Sequence, residues 1–97
     1  MQSYKDLIVY QKGYKLALEI YQSTKDFPRE KVYSLVSQMR RSAVSISCSE
    51  LETLISLSYD LNLLDKDISN RLYSLQEQVS KLLNSLILSL SKPAREK

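Results

Sequence analysis

The sharpest polar cluster in the chain is Gln38-Met39-Arg40-Arg41. Successive helical residues point about 100° apart, so Arg40 and Arg41 cannot both face one core. Their guanidinium groups suit contact with phosphate. They equally suit pairing with carboxylates, such as Glu50, Glu52 or those of a neighbouring subunit. Gln38, Arg40 and Arg41, with Lys5, Lys12 and Lys15 upstream, are the candidate contacts to nucleic acid or to a second subunit. Tyr4, Tyr10, Tyr14 and Tyr21 form the other group with a chemical use, because aromatic rings stack on bases in single-strand binders. At helical spacing, however, Tyr10, Tyr14 and Tyr21 read first as core or interface.

Catalytic chemistry is poorly supplied. The chain has no histidine, one cysteine and one glycine. It therefore lacks the commonest general base and metal ligand, a Cys/His zinc set, and the glycines of a phosphate-cradling loop or dinucleotide fingerprint. Glu50 and Glu52 stand two apart, on different faces of a helix, and do not make a catalytic carboxylate pair. The expectation is a protein that is not an enzyme, with no cofactor, no metal and no small-molecule substrate. Cys48 has no internal partner and reads as a buried thiol behaving as a small hydrophobe.

The elements that must carry these residues are helices. In 97 residues there is room for one domain, spanning 1–97. Hydrophobic residues make up 43%, enough for a core, while one Gly and two Pro are too few for a turn-rich β protein. No apolar run approaches the ~20 residues a membrane span needs, and the charged start does not read as a signal peptide. A cytoplasmic protein without membrane contact is expected. Residues 1–48 hold eight basic and four acidic side chains, whereas 49–97 hold six and seven. The basic excess lies in the first half, either as a patch for polyanions or as an ordinary solvated face.

Leu7, Tyr10, Tyr14, Ala17 and Tyr21 step by three and four, predicting a first helix over about Asp6–Thr24 with that stripe as its seam. Gly13 is costly inside a helix, which suggests close approach of a neighbour. Pro28 suits a first helical position. From there Val32, Leu35, Val36, Met39, Ala43 and Ile46 form the next stripe, with small Ser34, Ser37, Ser42 and Ser45 around it. No Gly or Pro interrupts Arg29 to Leu61, so the pattern reads on as one helix about 50 Å long. That length is unusual without caps, and it puts Glu50 on the apolar seam. Leu51, Leu54, Ile55, Ser58 and Leu61 follow, ending near Asn62, which tolerates a left-handed C-cap. Asp65 or Asp67 is a candidate N-cap. The last helix is expected over about Lys66–Ser91, with Leu72, Leu75, Val79, Leu82, Leu86 and Leu90 as its seam, Leu83 and Ile87 widening it. Pro93 should end it and the tail Ala94–Lys97 should fray. The short connections favour antiparallel neighbours.

Three ordered strings carry a family resemblance: Lys5-Asp6-Leu7-Ile8-Val9-Tyr10-Gln11-Lys12, then Phe27-Pro28, then Tyr33 through Ile46 with its Gln-x-Arg-Arg-x-Ala-Val-Ser-Ile core. With Ser49-Glu50-Leu51-Glu52-Thr53-Leu54, the chain resembles the four-helix-bundle proteins encoded in intervening sequences of bacterial 23S rRNA genes, the so-called S23 ribosomal proteins. The resemblance implies an all-α, up-down antiparallel four-helix bundle that assembles as a ring-shaped homopentamer. It also implies kinship with the accessory protein of diversity-generating retroelements, whose pentamer binds reverse transcriptase and nucleic acid. Family members continue after Val-Ser-Ile with Asn-Ile-Ala-Glu-Gly and a turn, whereas here Cys48 passes straight to Ser49. The expectation is therefore that chain is missing between Cys48 and Ser49. Functionally, the reading is a non-catalytic oligomeric bundle that binds RNA, DNA or a ribonucleoprotein. The alternative is a protein–protein adaptor that binds no nucleic acid.

Overall fold

A computed structural model describes residues 4–45 and 47–91. Four helices follow one another: α1 (Tyr4–Thr24), α2 (Arg29–Ser45), α3 (Cys48–Asp60) and α4 (Lys66–Ser91). Each helix packs on its neighbours in the order α1–α2–α3–α4 and back to α1, and among the described residues the backbones of the diagonal pairs do not come close. This is an all-α four-helix bundle. Lys12 meets Gln78 and Glu19 meets Arg71, so α1 and α4 run antiparallel. Ser56 hydrogen-bonds Tyr73 and Cys48 hydrogen-bonds Ser80, which sets α3 antiparallel to α4 in the same way.

The core is aliphatic. Leu16, Ile20, Met39, Leu51, Ile55, Leu72 and Val79 are sealed from solvent, with Leu35, Val36, Ala43 and Leu54 around them. For α2 to α4 these lie on the predicted stripes, and α3 buries Leu51, Leu54, Ile55 and Ser58 as expected. The seam of α4 is buried only from Leu72 to Val79, with Leu82 and Leu86 half-buried and Leu90 exposed near the helix end. On α1 the expected seam is corrected. Its buried line is Val9, Gly13, Leu16, Ile20 and Thr24, whereas Leu7, Tyr10, Tyr14 and Tyr21 are exposed and Ala17 is half-buried. Both lines have helical spacing, and the compact branched aliphatics pack the interior more densely than three phenols whose hydroxyls would need partners. Gly13 is buried and shares a groove wall with Ala43 of α2, two small residues where those helices meet.

The ends of the elements follow local chemistry. The Pro28 carbonyl accepts from the N–H groups of Lys31 and Val32, closing the first turn of α2 from the proline. Val32 departs from helical geometry at φ −129°, ψ 34°, a kink in that first turn. At the end of α3, Asn62 takes φ 63° and the Leu63 N–H reaches back to the Ser58 carbonyl, the left-handed closure expected of an asparagine there. Asp65 Oδ1 accepts from the Ile68 N–H at 2.8 Å and caps α4. Leu61, expected in the α3 stripe, is exposed at the end of the helix.

The apolar pattern that reads on from Arg29 to Leu61 is broken, as the expected four-helix bundle requires: α2 stops at Ser45. The Ser47 N–H turns back to the Ser42 carbonyl, and the Ser45 hydroxyl bonds the Arg41 carbonyl and the Ser47 hydroxyl. Serine side chains compete with the helical ladder, so a run of them can end a helix without Gly or Pro. The break resets the phase: Leu51 enters the core and Glu50 is exposed. No missing chain is required between Cys48 and Ser49, which are consecutive residues in the first turn of α3. That turn is closed by the Leu51 N–H on the Ser47 carbonyl. Ile46, expected in the α2 stripe, lies outside the described residues, as do Pro93 and the tail Ala94–Lys97.

Candidate functional site: an aromatic and basic face on α1 and α2

With its aliphatic line turned inward, α1 presents its tyrosines along the side that faces α2. Tyr10 and Tyr14, one turn apart, stack with ring centroids 6.2 Å apart and planes 16° from parallel. Together with Leu18, Tyr21 and Val44 they wall an open groove of about 530 Å³. A second groove adjoins it at Tyr21 and Val44 and runs along α2 past Tyr33, Ser37, Arg40 and Arg41. None of the residues lining either groove is acidic.

Arg40 joins the two helices. Its Nε donates to the Thr24 hydroxyl at 3.1 Å, and its guanidinium carbon lies 4.6 Å from the centre of the Tyr21 ring. Thr24 is buried and donates its own proton to the Ile20 carbonyl at 2.8 Å, so its oxygen is oriented to accept from the arginine. Clamped from below and stacked on one side, the planar guanidinium is held at the groove wall rather than left to wander. Pairing of Arg40 with Glu50 or Glu52 is thereby corrected: within the chain its partners are a hydroxyl and a ring. The reason is position, since the end of α1, not α3, lies beside this turn of α2. Arg41, next along the chain, is exposed and lines the same groove.

The remaining candidates are not gathered here. Lys12 turns toward α4, where its Nζ donates to Gln78 Oε1 at 2.9 Å. Lys15 and Gln38 are exposed and line neither groove. The side chain of Lys5 lies outside the described residues. Sequence reading missed Thr24, Tyr33 and Val44. The first ends a helix and nothing local ties it to Arg40, while the other two sit off the apolar stripe of α2.

Elsewhere the charged groups form ordinary surface pairs, Arg71 with Glu19 and Lys81 with Glu77. Cys48, expected to be buried, is half-buried at the first turn of α3, where it packs against the edge of the core. Burial raises its pKa above the usual thiol value, and the hydrogen bond from Ser80 offsets this only in part. A thiol held protonated is a poor nucleophile.

Fold and face together define a class: a small four-helix bundle whose conspicuous surface is an aromatic groove edged by arginine. Residues 5–48 match the family model of the 23S rRNA-intervening sequence protein, in agreement with the resemblance read from the sequence. The match takes in nearly all of α1 and the whole of α2, hence the entire aromatic and basic face, and it ends at the first residue of α3. No curated protein and no solved structure shows significant similarity to the chain. Among the described residues, no helix is long and apolar enough to cross a membrane.

Proposed function

We propose that this is a non-catalytic, self-associating helical-bundle protein of the cytoplasm that binds single-stranded nucleic acid, free or within a ribonucleoprotein, on its α1–α2 face. One observation carries the reading: Arg40 is held on Tyr21 beside Arg41, in a groove continuous with exposed Tyr14, Tyr10 and Tyr33 and without an acidic residue. Arginines suit backbone phosphate and exposed rings suit bases, the two components of sequence-tolerant single-strand binding. A duplex offers its base faces to no such platform. The basic excess of residues 1–48 adds long-range attraction in the same sense.

The test is a titration with single-stranded RNA and with duplex DNA at several salt concentrations. Affinity for the single strand should be the higher and should fall steeply with salt. Replacing both arginines, Arg40→Gln with Arg41→Gln, should flatten the salt slope by about 1.4, at about 0.7 for each phosphate no longer neutralised. Absence of binding even at low salt leaves the protein–protein adaptor, a reading favoured by the apolar wall that Tyr10, Tyr14, Leu18 and Val44 present.

A further inference from the structure

The side of the bundle opposite the aromatic face is built by α3 and α4, and an open cleft of about 560 Å³ runs between them. Its α3 wall is Cys48, Ser49 and Glu52, residues that helical spacing places on one face. Its α4 wall runs from Tyr73 to Lys81, about two turns of helix. Ser80 bonds the Cys48 thiol and Tyr73 bonds Ser56, so the two helices are tied across at both ends of the cleft. Between these ties two polar groups have no partner.

Gln76 is the first. It is only 7% exposed and lines the cleft, yet its side-chain amide makes no hydrogen bond among the described residues. An amide taken out of water without a partner is unfavourable. Its carbonyl and its NH2 group together offer an acceptor and two donors. Glu52 is the second. Lys81, the basic residue of the cleft, is tied to Glu77 at 3.5 Å. That leaves the exposed Glu52 carboxylate without an ion pair among the described residues. The cleft thus sets two carboxylates against one ammonium, the reverse of the arginine-edged groove, and calls for a cation. Among the described residues no cluster of side chains is set to hold a metal ion, so the cation that fits is organic.

We infer that this cleft receives an arginine side chain from an extended basic segment of another protein. A guanidinium is flat and presents a fork of N–H groups, which suits a free carboxylate on one wall and an amide carbonyl in the floor. An ammonium is a single, more strongly hydrated point and satisfies the pair less well. The fold already holds one guanidinium in a comparable way, Arg40 between a hydroxyl and a tyrosine ring. The cleft is open along its length and longer than a guanidinium, so a small free cation would stay largely in water. A peptide laid along the cleft covers its own arginine, and a backbone carbonyl of that peptide accepts from the Gln76 NH2 group. Arginine-rich arms are common on proteins that bind nucleic acid, and the arginine-edged groove lies on the opposite side of the bundle. One ribonucleoprotein can therefore engage both faces. The inference itself stands on α3 and α4 alone and does not require the nucleic-acid reading.

The probe is a short glycine–serine peptide with one central arginine, titrated into the isotope-labelled full chain and followed by NMR. The side-chain NH2 resonance of Gln76, identified by its loss in Gln76→Leu, should shift saturably. The same peptide with citrulline, neutral and of the same shape, should leave that resonance in place, and a lysine peptide should bind more weakly than arginine. Read from the backbone amides of α3 and α4, Glu52→Gln and Gln76→Leu should each weaken the arginine peptide about tenfold, as one lost charge-assisted bond does. Helical content and thermal stability should be retained in both. Arg40→Gln with Arg41→Gln should not change peptide affinity, and Glu52→Gln should not weaken single-strand binding, so this inference and the nucleic-acid reading fail separately. Equal binding of the arginine and citrulline peptides overturns the inference. Free arginine binding as tightly as the peptide also overturns it, by making the site one for a small molecule. So does Glu52→Gln that binds the peptide like the parent, or that alters self-association, which would put a second copy of the chain in the cleft.

Discussion

Arg40 shows how much a single side chain takes from its surroundings. A guanidinium over an aromatic face contributes about 0.5–1 kcal/mol at a partly exposed site, and here the Thr24 hydroxyl fixes its orientation as well. A double-mutant cycle between Tyr21→Leu and Arg40→Gln, read from urea unfolding, should therefore give a coupling of that size. Additive effects would mean that ring and cation ignore each other in solution. Cys48 supplies the pH-dependent counterpart. Its folded pKa is raised by burial, so the unfolded chain releases the thiol proton first. The contribution to stability is complete below the ordinary thiol pKa and is lost as pH rises through the folded value. Between pH 7 and pH 10 the urea midpoint should fall more for the parent protein than for Cys48→Ala, and parallel falls would show that the fold does not raise the thiol's pKa.

At the scale of the helix, boundaries are set by bonds spanning three to five residues. Asp65 accepts from the Ile68 N–H and Asn62 turns left-handed; residue type alone announced the second role, whereas it left the first between Asp65 and Asp67. Asp65→Ala should cost about 1 kcal/mol, the usual value of an N-cap, without altering the fold. Asp67→Ala, outside the cap, should cost clearly less, and thermal unfolding of the two variants checks the order. The α2–α3 break was harder to place, although its cause is equally local. Serines at 42, 45 and 47 end the helix through hydroxyl and backbone bonds that no Gly or Pro announces. A sequence reading sees the consequence, a seam out of phase at Glu50, without seeing where the phase is reset.

For the whole molecule, burial separates two kinds of apolar residue that composition cannot tell apart. Leu51 is sealed at the centre of the bundle and Tyr33 is 69% exposed. Leu51→Ala should destabilise the protein by about 2–5 kcal/mol, through the apolar burial it removes and the cavity it leaves. Tyr33→Ser should stay within about 0.5 kcal/mol, as surface changes do. Chemical denaturation of both variants tests the assignment of core and face together, and a large loss at Tyr33 would move it into the interior.

The sequence by itself determined the amphipathic helical segments, most of the core stripes on α2, α3 and α4, the cap at Asn62, a choice between Asp65 and Asp67 for the start of α4, and the absence of histidine. All of these depend on residue type and spacing along one axis. Only the tertiary structure decided which of two stripes on α1 turns inward. Each stripe is apolar about that axis, and the choice is made by what α2 and α4 can pack against. Tertiary structure also gave Arg40 a ring and a hydroxyl instead of a carboxylate, because the end of α1 happens to lie beside it. It likewise left the last turns of α4 uncovered. That seam repeats unchanged from Leu72 to Leu90, and where it stops being buried is set by where the neighbouring helix begins.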